Sequence, residues 1–313
     1  MNLWGVLLLI AAALLFFFLI LPAVLVFFAV FYRKKGVPFE QYDLKKFKNH
    51  YYLPYLGRVA QAREWLQQHD HAPVYVTADD GVRLYGEYYD QGSRRTAVLF
   101  HGIGAEMYTN LSGQARVLYR SGWNVLLTCQ RAHGKSGGRF TAIGLREQDD
   151  VLCWTRFAGQ QGAREILLYG VSMGAASVAY AADRLDGTQV KGIVIDSGFY
   201  SIYEQMRRDA YKNHIPKIML PAQWVLAKLV LRVDIRQPTA DTLRRAQAPV
   251  LFIHGTADET VEHRWAQVNF DACAAPKRLF LAEGAPHTLS IFHNPAQTEE
   301  VLQQFLKEHF SSE

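Results

Sequence analysis

At 313 residues the chain has room for one large domain or two modest ones, and with half its residues apolar and 20% charged it is a globular protein, not a disordered one. Its 34 Lys and Arg against 29 Asp and Glu give a formal net charge of +5. They are scattered except for a cluster after the N-terminal apolar run, which excludes the basic stripe of a nucleic-acid binder. Three cysteines, Cys129, Cys153 and Cys273, are odd in number and far apart. They show no metal-ligand spacing and point to a reducing compartment.

Residues 3–32 contain no charged side chain and are dominated by Leu, Phe, Val and Ala. About 20 apolar residues span a bilayer core, so this run is long enough to cross with tilt, and Pro22 is expected to kink it. A cleavable signal peptide has a basic start and a shorter apolar core, whereas Met1-Asn2-Leu3-Trp4 carries no basic side chain. The run therefore reads as an uncleaved single-pass anchor, residues 1–35. Arg33, Lys34, Lys35, Lys45, Lys46 and Lys48 all follow it and none precedes it. By the positive-inside rule that puts the rest of the chain in the cytoplasm. Residues 36–72 read as a connector, with Tyr42, Tyr51, Tyr52, Tyr55 and Trp65 too frequent for a free linker, and one helix is predicted over 57–69.

From residue 73 to 313 the pattern is that of one domain. Residues 74–77 and 82–89, joined through Asp79-Asp80-Gly81, predict a hairpin. Short apolar runs follow at 97–100, 124–128, 166–169, 190–195, 250–254 and 277–281, with room for helices at 111–121, 146–159 and 176–184. Strands alternating with helices and apolar throughout imply a mostly parallel sheet covered on both faces, with the hairpin at one edge. Residues 199–247 break the rhythm. They are amphipathic and aromatic-rich around 203–211 and 218–231, are punctuated by Pro216, Pro221 and Pro238, and predict a small helical cap. Such a cap would sit over the C-terminal strand ends, where open α/β sheets bind ligands. Its Tyr203, Met206, Tyr211, Met219 and Trp224 suggest a partly apolar pocket.

The most informative segment is Gly170-Val171-Ser172-Met173-Gly174, preceded by an apolar strand and followed by an Ala-rich helix. Strand, sharp turn and helix in that order make a nucleophile elbow, which lifts a serine hydroxyl out of the fold at a helix N-terminus. A side chain at Gly170 or Gly174 would collide with the neighbouring strand or helix. A serine hydroxyl needs a base and a group that orients the base. Downstream, Asp258 and His287 each fall in the loop after an apolar strand, at the sheet edge that carries Ser172, in the order serine, acid, histidine. Rival readings exist. Asp196 also ends a strand and offers a second acid, and His293 a second base. Asp149 and Asp150 read as residues that cap or decorate a helix. His101 and His133, in glycine-flanked loops, read as structural or pocket-lining. A metal site of His101, His133 and His254 is conceivable but has no ligand spacing, so no metal or cofactor is expected.

Five stretches carry a resemblance: Phe100-His101-Gly102-Ile103-Gly104; Gln130-Arg131-Ala132-His133-Gly134-Lys135-Ser136-Gly137-Gly138; Tyr169-Gly170-Val171-Ser172-Met173-Gly174; Phe252-Ile253-His254-Gly255-Thr256-Ala257-Asp258; and Gly284-Ala285-Pro286-His287. Together, across residues 74–310, the chain resembles α/β-hydrolase-fold serine hydrolases, in particular bacterial membrane-anchored or surface enzymes with an esterase or S33/S9-peptidase-like domain. The resemblance implies that Ser172 attacks, His287 carries the proton and Asp258 holds His287. It also implies that the backbone N–H groups of Met173 and Ile103 form the oxyanion hole. These stretches are specific for fold and triad and say little about substrate; a carboxylic ester or other small acyl compound is the favoured expectation, with a peptidase or a non-catalytic binding protein on the same fold as alternatives. Gln130 departs from the Asp common at that place in relatives, a change expected to alter a hydrogen bond with Arg131. The oligomeric state is not set by the sequence.

Overall fold

The computed structural model describes residues 2–33, 50–105 and 107–311. Eight strands form one sheet: β1 (Ala72–Thr77), β2 (Arg83–Tyr89), β3 (Arg95–Phe100), β4 (Asn124–Cys129), β5 (Glu165–Val171), β6 (Val190–Asp196), β7 (Val250–Gly255) and β8 (Lys277–Ala282). Their order is β1-β2-β4-β3-β5-β6-β7-β8. Strand β2 runs antiparallel to β1 and β4, and every other pairing is parallel. The hairpin turn uses Gly81 at φ 84°, where a side chain would be strained.

Burial explains the apolar runs. Strands β3, β4 and β5 are covered on both faces, whereas β1 at one edge and β8 at the other are partly open. Consecutive residues feed opposite layers, as the pleat requires. Leu99, Leu127 and Tyr169 pack under Leu111, Leu302 and Phe305, while Val98, Leu126 and Leu168 pack under Trp154, Val178 and Ala179. The helix Leu56–Gln67 joins the first layer through Val59, Ala62 and Leu66. Residues 36–49 of the connector, and Lys34, Lys35, Lys45, Lys46 and Lys48, lie outside the described residues.

Between β6 and β7 the chain leaves the sheet for the helices Ile202–Lys212, Met219–Leu226 and Thr239–Leu243, with a π-helical extension at Ala227–Leu231. Ser201 starts the first of these by accepting a hydrogen bond from the Glu204 N–H at 3.2 Å. The N-terminal helix runs from Leu3 to Phe31, long and apolar enough to cross a membrane. Its α-helical parts, Leu3–Leu15 and Leu21–Phe31, are joined by a π-helical turn at Phe16–Ile20 just before Pro22. The wider turn absorbs the clash that a proline ring makes with the preceding turn, so the helix continues. Its last turns are part of the domain: Phe27 and Phe31 are buried with Tyr180, Phe199, Ile202 and Leu231.

Candidate active site

The C-terminal ends of β3, β5, β7 and β8 deliver their loops to one place under the helical excursion. Ser172 follows β5 directly and adopts φ 55°, ψ −112°, a conformation that L-residues avoid. The surrounding glycines make that turn possible. A Cβ on Gly170 would lie 2.3 Å from the Gly174 carbonyl oxygen, and one on Gly174 would lie 2.0 Å from that of Phe100. The Ser172 N–H is tied to the Asp196 carbonyl at 2.8 Å, so the elbow is held by the neighbouring strand.

Ser172, His287 and Asp258 meet in a hydrogen-bonded chain. The His287 Nε2 lies 3.0 Å from the Ser172 Oγ, and its Nδ1 lies 2.6 Å from the Asp258 Oδ2. With Nδ1–H donating to the carboxylate, Nε2 is free to accept the serine proton. All three side chains are buried. The Asp258 carboxylate accepts four N–H groups: the Thr260 and Val261 amides on Oδ1, each at 2.8 Å, and His287 and His254 on Oδ2. Burial works against its charge, but His287 and His254 outweigh it and hold the carboxyl well below the usual carboxylate range. His254 Nε2 is 3.1 Å from both Asp258 and the Val261 carbonyl. A carbonyl only accepts, so Nε2 carries the hydrogen. In the sequence His254 stands out only as a conceivable metal ligand, although it lies four residues before Asp258.

Two backbone amides stand beside the serine. Met173 begins the helix Met173–Ala181, and among the described residues its N–H and that of Ile103 have no acceptor. The Ile103 loop approaches the elbow through Gly102, whose missing Cβ would lie 3.2 Å from the Ser172 Cβ. That loop is pinned on both sides. The Gly102 N–H donates to the Asn110 Oδ1 at 2.7 Å, and the Gly104 N–H to the His133 Nε2 at 3.0 Å. Asn110 in turn donates to the Tyr52 hydroxyl at 3.2 Å, and Tyr52 bonds the Thr288 hydroxyl next to His287. This chain, running from the connector through Asn110 to the two ends of the site, had no sequence signal, because its members are far apart and unremarkable singly.

The rival residues take other work. Asp196 accepts from Tyr169 at 3.0 Å and from Ser197 at 2.9 Å, and burial pushes its carboxyl up, so it is a poor partner for a charge-bearing histidine. His293 bonds the Tyr55 hydroxyl and packs beside Gly284. His101 and His133 are in contact with each other, and the Nε2 of each accepts a backbone N–H, leaving neither a lone pair for a metal. Burial and the neighbouring His133 push His101 down to about 3, and burial pushes His133 down, so both stay neutral props of the loops. Asp150 does not cap a helix. It is buried, and Arg131 grips it through Nε at 2.7 Å and Nη2 at 2.5 Å. Gln130 makes no side-chain bond to Arg131; it donates to the His101 carbonyl and accepts from Ser177 at 3.0 Å.

Above Ser172 lies a cavity of about 330 Å³ with an apolar lining. It reaches from Ser172 and Met173 past Ile202 and Met206 of the excursion to Val26 and Val30 of the N-terminal helix. Asp209 is the one carboxylate among its described lining residues.

Comparison with known proteins agrees with this architecture. Residues 91–245 match the family model described as serine aminopeptidase, S33. The uncharacterized protein YqkD of Bacillus subtilis is 27% identical over 221 residues, covering 67% of this chain and 70% of that protein. The uncharacterized protein Rv2307c of Mycobacterium tuberculosis is 29% identical over 240 residues, covering 75% of this chain and 78% of that one. Among solved structures, the Pyrococcus furiosus esterase Pf2001 superposes with a TM-score of 0.66 at 20% identity, covering 90% of this chain and 98% of that one. Est1E of Butyrivibrio proteoclasticus, solved with ferulic acid bound, gives 0.59 at 18% identity, covering 75% and 98%.

Proposed function

The chain has the α/β-hydrolase fold, and we propose that it is a serine hydrolase that cleaves a carboxylic ester through an acyl-enzyme. The observation that carries the reading is the hydrogen-bonded chain Ser172–His287–Asp258 beneath an apolar cavity. The Ser172 Oγ attacks the ester carbonyl carbon as its proton passes to His287 Nε2. The resulting oxyanion accepts the N–H groups of Met173 and Ile103, each such donor being worth about 3 kcal/mol in the transition state. Collapse breaks the bond to the alcohol oxygen, which leaves with the His287 proton. Water, deprotonated by His287, then attacks the acyl-enzyme, and Ser172 leaves with that proton as the carboxylic acid is released. Asp258 stays ionised throughout and holds the imidazole in the tautomer that accepts at Nε2.

The apolar N-terminal helix supports a membrane-anchored enzyme, because its last turns are packed into the domain and would be lost with a cleaved signal. The basic residues that follow it favour a domain on the cytoplasmic side. The family description names an aminopeptidase, but a peptide N-terminus calls for an acidic cluster, and among the described residues lining the cavity Asp209 is the one carboxylate, with Arg33 also on the wall. Burial also pushes Asp209 up, which weakens it as a cation receptor.

The test is fluorophosphonate labelling of membranes carrying the full-length protein, with Ser172→Ala alongside. Wild type is expected to label and the variant not to. p-Nitrophenyl esters are expected to turn over, with aminoacyl anilides at least tenfold slower. Labelling of both proteins would remove Ser172 as nucleophile, and no labelling of either would favour a binding protein on this fold.

A further inference from the structure

The N-terminal helix is more than a tether. From Leu3 to Ile20 nearly every large apolar side chain faces outward. At Ala23 the environment changes. Ala23, Phe27 and Phe31 are buried, and the Ala23 carbonyl accepts a hydrogen bond from the Gln223 side chain at 2.8 Å. The helix end is then stitched to the domain by the Thr141 N–H donating to the Phe31 carbonyl at 2.9 Å and the Arg33 N–H to that of Arg139 at 2.8 Å. Between these fastenings Val26 and Val30 face the cavity that ends at Ser172. Val26 lies six residues beyond the exposed stretch, about 9 Å along a helix axis. The part of the cavity wall formed by Val26 therefore lies within two helical turns of the exposed stretch 3–20. The helix Met219–Leu226, which packs against the N-terminal helix, and its extension expose Val225, Leu229 and Val230 with Lys228 among them, and Lys217 and Ile218 before it and Arg232 after it are exposed as well. An apolar face with basic residues at its margin, next to a membrane-length helix, is the composition of a surface seated in a bilayer interface.

We propose that this enzyme takes a long-chain acyl ester directly from the bilayer, and that Val26 and Val30 of the anchor helix form the wall that measures the acyl chain. The inference rests on the hydrolase reading above. A chain of methylenes matches a cavity of about 330 Å³ whose lining is mainly apolar, with Arg33, Gln205, Asp209, Gln223 and Thr260 as its polar members besides Ser172. Because one wall is the membrane helix itself, an ester can slide from lipid into the cavity without its acyl chain crossing water.

The experiment uses full-length protein reconstituted in phosphatidylcholine vesicles, with p-nitrophenyl butyrate, octanoate and laurate as probes. In the wild type, kcat/KM should rise about three- to fourfold per added methylene until the cavity is full. At fixed total laurate ester, adding phosphatidylcholine should lower the rate in step with the ester's mole fraction in the bilayer. Val30→Trp should reduce the laurate-to-butyrate ratio of kcat/KM tenfold or more, with fluorophosphonate labelling of Ser172 reporting that the variant is folded. Val26→Trp gives the same reading if Val30→Trp fails to fold, and the wild-type profile decides independently of both. A flat chain-length profile, a rate that ignores bilayer mole fraction, or an unchanged ratio in the labelled variants would each overturn the inference while leaving the hydrolase intact. Absence of labelling and turnover in the wild type would overturn the hydrolase reading, and this inference with it.

Discussion

Ser172 sits at φ 55°, ψ −112°, and nothing in its own side chain justifies the strain; the surrounding strands and glycines impose it. His254 presents a similar puzzle. It is fully buried, and among the described residues its Nδ1 has no hydrogen-bond partner, an arrangement that costs stability unless the ring has work to do. Its Nε2–H supplies the fourth donor to Asp258, beside the one from His287. A hydrogen bond to a charged group contributes about 1.5–3 kcal/mol, and here it fixes the carboxylate that orients His287. His254→Phe, which keeps a ring and removes the donor, is therefore expected to lower kcat on p-nitrophenyl esters roughly tenfold to a hundredfold with little change in KM. Steady-state kinetics of the purified variant check this. A variant with unchanged kcat would reduce His254 to packing.

The elbow works only because its glycines let the helix Met173–Ala181 lie against the end of β3. Gly174→Ala would bring a methyl group to 2.0 Å from the Phe100 carbonyl, a backbone atom that cannot swing aside. The expected cost exceeds the ~1–3 kcal/mol of ordinary overpacking, enough to leave little folded protein. Gly57→Ala, in the helix Leu56–Gln67 with nothing within 4 Å of the added carbon, should instead stabilise by about 0.5 kcal/mol. Thermal unfolding of the two variants measures the contrast, and similar midpoints would refute the steric account. These elements also mark how far the sequence could be read. Strands, hairpin and elbow were legible because each announces itself within ten residues, by an apolar run or by a glycine at a fixed offset. The strand order was not, because swapping β3 and β4 changes no local pattern. Nor were the Asn110–Tyr52–Thr288 tether and the Arg131–Asp150 pair, which join residues whose neighbours give no hint of a partner. The anchor was legible as apolar, but periodicity alone did not separate its outward stretch from the turns that wall the cavity.

At the scale of the molecule, that division bears on the proposed membrane anchor. From Leu3 to Ile20 the helix is about 27 Å long at 1.5 Å per residue, close to a hydrocarbon core, while the turns beyond Pro22 are committed to the domain. On the membrane-anchored reading proposed above, the domain lies against one membrane face, and charge favours the cytoplasmic one. Arg33 and the lysines that follow the apolar run resist translocation, in keeping with the cytoplasmic side proposed above. The three cysteines are free and buried, which suits a reducing compartment and also leaves the surface without a reactive thiol among the described residues. Replacing exposed Gln267 with cysteine supplies one, on the helix Arg264–Ala272 of the domain. A membrane-impermeant maleimide should label Gln267→Cys in inverted vesicles and spare it in right-side-out vesicles or intact cells. The parent protein, its thiols buried, should label in neither. Labelling of the variant in intact cells would place the domain outside, and the basic cluster would then need another explanation, such as attraction to anionic headgroups.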